Sequence, residues 1–523
     1  TLGASWGAHL LGRIAMTGSF TSVGYHDVNA HGHAQIFGWV GLFVMGFAYQ
    51  AFPRFKHASL AYPRLAFMTL WMMITGLVAR SVLEPVSVSV PALHIVPVLA
   101  SVLEVAAIGL FVWIIGMTWR RSGKPLAFYD YYIVSALAWF IIQAVYETVL
   151  FIATIHAASQ EQLLQLIATW QAPLREIQIH GFAMMMILGV SQRIFHNFYG
   201  FPTPNPRKSR AALAGINLGI VGETTGFVLM QTVTQAAGVL WYGSVLLLAG
   251  SVVYLVADWK IFSRPEERDR NLKFLRAAYV WLFISLGMLV LLPVYQWVIL
   301  PAFAPAGEAA AIGFSHAYYG AIRHAITVGF ISLMIVGVSA KVVPTLNGAD
   351  LRSLARLWLP FLLINTGCAL RVAGQTLTDF SPAFFPAAGI SGVFEVLGLT
   401  VWGVHLFQVM AGRARVRNPR RVLAGGYTPL ARQSPIVETN LVGDVLDAYP
   451  NSLETFLSFG FTPLQNPILR ATAARTVTIQ GACRKLGADV NELLLALNTA
   501  REQAAPARTE TPRLYQITLD PVK

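Results

Sequence analysis

The sequence predicts an all-helical protein that crosses a membrane many times and carries a small soluble helical domain near its C-terminal end. Three observations support this fold class. Of 523 residues, 55% are hydrophobic and only 12% are charged, about half the charged fraction of an ordinary soluble protein. Apolar stretches long enough to span a bilayer, about 20 residues each, recur between residues 28 and 411. The basic residues between these stretches are also distributed very unevenly.

Eleven membrane-spanning helices are predicted from the apolar stretches. Only helices and closed barrels satisfy their backbone hydrogen bonds in lipid, and runs of this length are not the short alternating strands of a barrel. Because the sequence begins at Thr1 rather than Met, we expect a twelfth native helix upstream. The predicted crossings are 28–52, 60–83, 91–117, 128–157, 176–199, 211–233, 236–257, 275–302, 317–344, 354–373 and 384–411.

Lysine and arginine are concentrated on one side of the predicted bundle. Alternate connections carry 22 of them, whereas the opposite connections and the N-terminal segment carry two, Arg13 and Arg175. Basic residues are enriched in the cytoplasmic loops of membrane proteins, so the basic side and the C-terminal region are predicted to be cytoplasmic. The net charge of +13 is explained by these basic connections. A nucleic-acid partner is therefore not expected.

Beyond the last apolar stretch the composition changes, which divides the chain into four parts. The two cysteines, Cys368 and Cys483, form neither a disulfide framework nor a thiolate metal site. No cleavable signal peptide is visible. The predicted parts are a transmembrane domain at 1–411, a basic linker at 412–434, a cytosolic helical domain at 435–500 and a flexible tail at 501–523.

Three of the predicted helices share a sequence pattern. In the stretches that begin at His33 and His324, His-Ala opens the run, a glycine follows 13 residues later, and a proline closes it seven residues after that. The helix that begins at Glu176 has a glycine at the same distance, with glutamate in place of histidine. The pattern predicts three four-helix units with threefold pseudosymmetry, each supplying one polar helix to a shared interior.

Two histidines lie one residue apart at the start of the first of these helices. Successive helical residues turn by about 100°, so His31 and His33 diverge by about 200° and leave opposite sides of the helix. They cannot bind one ion as an i, i+4 pair does. We expect them to serve two sites that flank the helix; the alternative is that one is a ligand and the other a capping or interfacial residue.

Coordinating side chains at membrane depth are functional candidates by default. We expect His324 to bind haem iron, which needs a second histidine facing the first. His33 is predicted to be that second ligand, because it occupies the equivalent repeat position, with His31 turned to a second cofactor.

Further side chains are predicted to complete the second site. His180 is expected to bind a metal there, with Glu176 nearby, and His316 is either another ligand or an interfacial residue. Burying an unpaired glutamate is costly, so the helix glutamates are expected to relay protons, bind a non-haem metal or pair with Arg80, Arg323 or Arg371. These glutamates are Glu104, Glu147, Glu176, Glu223 and Glu395.

A family resemblance is carried by the first polar helix. Ala30-His31-Gly32-His33, followed by a glycine-rich apolar helix and Phe52-Pro53-Arg54, resembles the histidine-bearing tenth helix of bacterial nitric oxide reductases in the haem–copper oxidase superfamily. In those proteins the two histidines ligate two different haems. The superfamily has twelve helices and threefold pseudosymmetry, with ligands mostly on helices two, six and ten. With one helix missing upstream, the polar helices of this chain would be two, six and ten.

Over residues 25–411 the chain is more similar to the NnrS family of membrane haem- and copper-containing proteins linked to nitric oxide. The shared motifs are the early His-x-His at His31 and His33 and the late His-Ala-x-Thr-Val-Gly that begins at His324. The chain lacks the adjacent His-His pair and the His-Pro-Glu segment of haem–copper oxidases. Its His-x-His also lies on the first polar helix rather than the last.

The resemblance implies a function and its cofactors. Because no Cys-x-x-Cys-His motif is present, the one or two expected haems are of type b, and the second metal is copper or non-haem iron. The implied activity is that of a nitric oxide or oxygen reductase in the bacterial inner (plasma) membrane, with electrons from quinol or cytochrome c. Lipid and other membrane subunits are the expected partners. The alternative is a non-catalytic haem or metal protein for nitric oxide sensing, sequestration or complex assembly.

The C-terminal region has its own resemblance. Its segments 439–450 and 469–482 resemble a small helical domain related to the N-terminal module of iron–sulfur-cluster repair proteins. Such modules often carry a Cys-x-x-Cys, which the corresponding loop, 461–467, lacks. We therefore expect this domain to dock to a partner rather than to perform redox chemistry.

The charge distribution generates a topological prediction. Residues 412–523 should be cytoplasmic, and the loops at 84–90 and 303–316 should be extracytoplasmic, because basic loops are retained inside. In a cysteine-free background, a membrane-impermeant thiol reagent added to intact cells should modify Gly307→Cys and spare Arg432→Cys. Labelling of position 432 but not of position 307 would reverse the predicted orientation.

Overall fold

The described part of the chain is helical. Within it no β-strand occurs, and the only strand-like pairing is an isolated bridge between Leu441 and Thr478. The predicted all-helical fold class is confirmed. The computed structural model describes residues 2–265, 269–305, 307, 309, 313–347, 349, 351, 354–412, 430, 434–466, 469–470, 473–475 and 477–503.

Long helices follow one another along the apolar part of the chain. Short turns connect most of them, and several begin with proline, whose missing N–H is tolerated in the first helical turn. The helices are α1 Leu2–Thr17, α2 Tyr25–Lys56, α3 Pro63–Ser89, α4 Pro91–Ser122, α5 Asp130–Ile155, α6 160–199, α7 Pro206–Thr232, α8 Gln235–Ala257, α9 Leu272–Val290, α10 Leu292–Phe303, α11 His316–Leu346, α12 Trp358–Leu377 and α13 Pro382–Met410.

Nine helices of the described chain are long and apolar enough to cross a membrane: α2, α3, α4, α5, α7, α8, α9, α11 and α13. The chain is therefore a multi-pass membrane protein. Helices α6 and α12 coincide with two further predicted crossings but do not meet that measure, because polar residues such as Arg175, Gln178 and Arg371 interrupt them. The count of eleven or twelve crossings stays a prediction.

Three features differ from the predicted boundaries. Helix α1 was not among the predicted crossings. Helix α6 begins at Gln160 rather than at Glu176. The Oγ of Ser159 caps this start by accepting a hydrogen bond from the amide of Gln162. Helix α3 continues to Ser89, so most of the predicted loop at 84–90 is helical.

The three helices with the shared sequence pattern also share a backbone irregularity. Each contains an eight-residue π-helical segment: Ala34–Gly41 in α2, Ile177–Met184 in α6 and Ala325–Ser332 in α11. Each segment starts directly after the residue that aligned in the sequence pattern, namely His33, Glu176 or His324. Such segments are rare and frequently lie at functional sites. Their common register supports an internal repeat.

A repeated side-chain contact accompanies the second and third π segments. Gly181 faces the indole of Trp139, and the equivalent glycine, Gly329, faces Trp281. The Nε1 of Trp139 donates to Asn217 (2.9 Å), and the Nε1 of Trp281 donates to Asn365 (3.0 Å). The same glycine–tryptophan–asparagine arrangement is thus built twice.

The three polar helices meet one another. The Nε1 of Trp39 in α2 donates to Ser332 Oγ in α11 (3.0 Å), and the hydroxyl of Tyr319 in α11 donates to Glu176 in α6 (2.5 Å). Near their C-terminal halves they line an apolar cavity of about 60 Å³. A common interior for these helices is therefore observed, whereas their relation by a threefold rotation stays a prediction.

The chain divides into two compact units. The first, here the membrane unit, comprises Thr1–Val338 and Leu357–Gly403, and the second comprises Ser339–Arg356 and Val404–Lys523. The predicted boundaries at 411, 434 and 500 stay predictions, since most of the linker and tail lies outside the described residues.

Within the second unit, four short helices enclose a small apolar core. They are α14 Val442–Ala448, α15 Ser452–Ser458, α16 Ile479–Leu486 and α17 Val490–Gln503. Phe456, Ile479 and Leu493 are fully buried in this core. Burial raises the pKa of the Cys483 thiol, as does nearby Asp489, which suits a packing role rather than a reactive one.

The glycines of the π segments generate a stability prediction. A Cβ at Gly181 would lie 2.9 Å from Cγ of Trp139, so Gly181→Ala should lower the free energy of unfolding by about 1–3 kcal/mol through overpacking. Gly46→Ala is the matched control, since no atom lies within 4 Å of a Cβ there, and it should be neutral or stabilise by up to about 1 kcal/mol. Thermal unfolding in detergent measures both, and equal effects would contradict the described packing.

Candidate cofactor sites

The membrane unit contains buried or half-buried histidines on all three polar helices. Burying an imidazole or a carboxylate is costly unless the group is hydrogen-bonded or paired. Helix α2 contributes His31 and His33, α6 contributes His180, and α11 contributes His324. The partners of each ring indicate which chemistry it is suited to.

His31 is held against α1 through one ring nitrogen. Its Nδ1 donates to the carbonyl of Gly3 (2.8 Å). Helix α1 approaches closely because residue 7 is glycine: a Cβ there would lie 2.5 Å from Cε1 of His31. Within the described chain, Nε2 of His31 has no hydrogen-bond partner, so this nitrogen is available to a ligand.

His324 has the same arrangement. Its Nδ1 donates to the carbonyl of Gly320 one turn earlier in α11 (2.9 Å). No described residue hydrogen-bonds to its Nε2. The His324 ring interacts electrostatically with His31 and with Arg371. The structure therefore brings His31 and His324 together, each with Nδ1 fixed by a backbone carbonyl and Nε2 unused.

Two arginines with unused donors lie beside this histidine pair. Arg371 is 6% exposed and interacts electrostatically with both histidines. Among the described residues, its Nε and Nη1 atoms have no hydrogen-bond partner, nor do Nε and Nη2 of Arg323. Glu395 on α13 is a charge partner of Arg371. Buried guanidinium donors without partners are uncommon, and they suit an anionic group at this place.

His33 faces away from this pair and lies between two carboxylates. Its Nδ1 is 2.8 Å from Glu147 and its Nε2 is 3.0 Å from Glu104. Its ring also stacks on Phe37, with centroids 4.4 Å apart. All three polar side chains are buried. With both ring nitrogens engaged, His33 has none left for a metal, and the structure does not place it opposite His324 as predicted.

A chain of buried hydrogen bonds extends from the His33 cluster. Gln178 donates to Glu147 (2.5 Å) and accepts from Arg175 (2.6 Å). Arg175 also donates to Asn29 (2.6 Å), which donates to Glu84 (2.9 Å). The extracytoplasmic arginine inferred from the charge count is thus buried and paired with polar partners.

His180 forms a third group with two glutamates. Its Nδ1 lies 2.8 Å from Glu223 on α7 and 3.2 Å from Glu176 one turn earlier on α6. The side chains of Glu176, His180 and Glu223 can place one donor atom each within 4.8 Å of one another, and all three are buried. Within the described residues this is the one group of histidine, cysteine or acidic side chains that could hold a metal.

The predicted site residues therefore fall into different groups. His31 and His324 interact electrostatically, and Glu176 lies beside His180. His33 is in a separate ionic cluster. His316 is exposed at the start of α11, with its ring against Phe314, and takes part in none of these groups.

Several residues of these groups were not singled out from the sequence. Glu84, Gln178 and Tyr319 are isolated polar residues within helices, and nothing in their local sequence names a partner. Arg80 pairs with Glu84 one turn later, a spacing of i, i+4 that the sequence does display. Arg371 was considered only as a partner for glutamates.

The fold and these groups define an integral membrane protein of many helices whose interior holds separate histidine and histidine–carboxylate sites. Residues 1–413 match the family described as NnrS protein, and the chain belongs to this family. Residues 436–494 match a domain of unknown function, DUF1858. No curated protein matches the chain. The link to the haem–copper oxidase superfamily stays a prediction.

Proposed function

We propose that this NnrS-family protein is an integral-membrane b-type haem protein that performs redox chemistry on nitric oxide or oxygen. The observation that carries the proposal is the pair of His31 and His324, which interact electrostatically and whose Nε2 atoms have no hydrogen-bond partner among the described residues. Histidine nitrogens from two helices could hold a haem iron. His31 replaces His33 as the partner of His324.

The residues around the pair fit a haem. A hydrogen bond from Nδ1 to a carbonyl fixes the tautomer and presents Nε2 to a metal, and both His31 and His324 make such a bond. The unpaired guanidinium donors of Arg371 and Arg323 suit the carboxylates of a haem. When bound, the haem would supply one-electron chemistry; the protein residues orient it and balance its charge.

A second candidate function is a non-catalytic haem protein for nitric oxide sensing, sequestration or complex assembly. The same histidine pair fits it equally well, because two histidine nitrogens could hold a haem iron without any turnover of nitric oxide or oxygen. Turnover of nitric oxide or oxygen by the purified protein with a chemical reductant separates the two: turnover supports the reductase, and its absence with an intact haem spectrum supports the second candidate.

The location and partners follow from the same proposal. We propose the bacterial inner membrane, with the C-terminal domain in the cytoplasm, on the distribution of basic residues. Quinol or cytochrome c is the proposed electron donor, and other membrane subunits are proposed partners.

Replacement of His31 or His324 tests the proposed haem site. His31→Ala and His324→Ala should each abolish the low-spin haem spectrum of the purified protein, because each would remove one histidine nitrogen proposed to hold the haem iron. His156→Ala is the control, since His156 is exposed and bonds to its own helix. A reduced-minus-oxidised optical spectrum measures all three. An unchanged spectrum in His324→Ala would refute the assignment.

A second prediction tests the position of His31 without changing a ligand. Gly7→Ala would place a methyl group against the His31 ring, so it should lower haem occupancy or shift the low-spin spectrum. Gly12→Ala, on the same helix and with no atom within 4 Å of a Cβ, should leave the spectrum as in the wild type. Identical spectra for the two variants would contradict the proposed contact between α1 and the haem ligand.

A further inference from the structure

We infer that Glu176, His180 and Glu223 bind a divalent first-row transition metal at a site separate from the His31–His324 pair. The inference does not depend on the haem, because no residue of this site belongs to that pair. The three side chains come from two helices: Glu176 and His180 lie one turn apart on α6, and Glu223 lies on α7. Each is no more than 8% exposed.

Which ring nitrogen the carboxylates approach distinguishes a metal site from an ionic cluster. Both carboxylates approach the same nitrogen of His180, Nδ1, which has one proton at most to share between them. The contacts of His33 in the same molecule differ in this respect. There the two carboxylates lie at different ring nitrogens, as suits an imidazole that donates from both.

The spacing of the donor atoms fits coordination. Oxygen and nitrogen ligands lie about 2.0–2.2 Å from a metal such as zinc, so neighbouring ligands on one ion are separated by about 3 Å. The Nδ1 of His180 is 2.8 Å from Glu223 and 3.2 Å from Glu176. An ion can therefore be accommodated with small side-chain movements.

The ligand set indicates the class of metal. One imidazole and two carboxylates are hard or borderline ligands, which suit Mn²⁺ and Fe²⁺, whereas copper in its reduced state prefers sulfur. Three protein ligands also leave coordination positions open. We therefore expect Fe²⁺ or Mn²⁺ rather than Cu⁺.

Tyr319 is the positioning residue of this site. Its hydroxyl donates to Oε1 of Glu176 (2.5 Å), whereas Oε2 of the same carboxylate faces His180. The bond orients Glu176 toward the ring. Arg323 lies over the Tyr319 ring, 4.5 Å from its centroid, and offsets part of the negative charge. Residues that hold a ligand in this way typically contribute 10- to 100-fold to metal affinity.

Metal binding by the purified full-length protein tests the inference. The protein is treated with a chelator, reloaded with Mn²⁺ alone, and measured by elemental analysis and by electron paramagnetic resonance. The wild type should retain one Mn²⁺ per chain after removal of free metal. His180→Ala and Glu223→Gln should lose it, and Tyr319→Phe should weaken binding by about 10- to 100-fold.

Glu104→Gln is the matched control, because it neutralises an equally buried glutamate beside a histidine in the His33 cluster; it should bind Mn²⁺ as the wild type does. Gel filtration and circular dichroism check that each variant is folded. If His180→Ala does not fold, Tyr319→Phe decides, since it removes only one hydroxyl. A wild type without stoichiometric Mn²⁺, or variants that bind as it does, would overturn the inference in favour of a metal-free ionic cluster. The haem spectrum is recorded separately, so neither result depends on the other proposal.

Discussion

Inside a membrane protein, a polar side chain must find its partner within the protein, because lipid offers none. This constraint organises the interior of the membrane unit. His33 is satisfied by Glu104 and Glu147, and the bonds continue through Gln178 and Arg175 to other helices. Breaking one buried pair leaves an uncompensated charge, so these contacts specify how the helices pack as well as what they bind.

The internal repeat supplies one scaffold for three different chemical arrangements. His33, Glu176 and His324 each directly precede a π segment, yet their contacts differ. His33 joins an ionic cluster, Glu176 lies beside His180, and His324 interacts electrostatically with His31. The π segments widen the helix locally and bring its glycines against bulky side chains of neighbouring helices. A repeated backbone can therefore carry unlike sites when the residues at equivalent positions differ.

Local sequence properties predicted much of the fold. Hydropathy located the apolar helices to within a few residues in most cases, because the cost of exposing polar groups to lipid acts along each segment independently. Hydropathy was less successful for α6 and α12, because polar residues interrupt their apolar stretches. The His-to-Gly spacing identified the three polar helices, and these do meet in one interior. Membership of the NnrS family agrees with the resemblance read from His31, His33 and His324.

The sequence by itself determined that the chain is a multi-pass helical membrane protein and that His31 and His33 face different neighbours, since a helix rotates about 100° per residue. Only the tertiary structure decided which neighbours each of them has. The position of His31 depends on α1, because the carbonyl of Gly3 accepts from its ring and glycine at position 7 lets α1 approach it. The position of His33 depends on Glu104 and Glu147, which lie 71 and 114 residues away in the sequence. Such contacts form only when the helices pack together, so the local sequence around the histidines does not predict them.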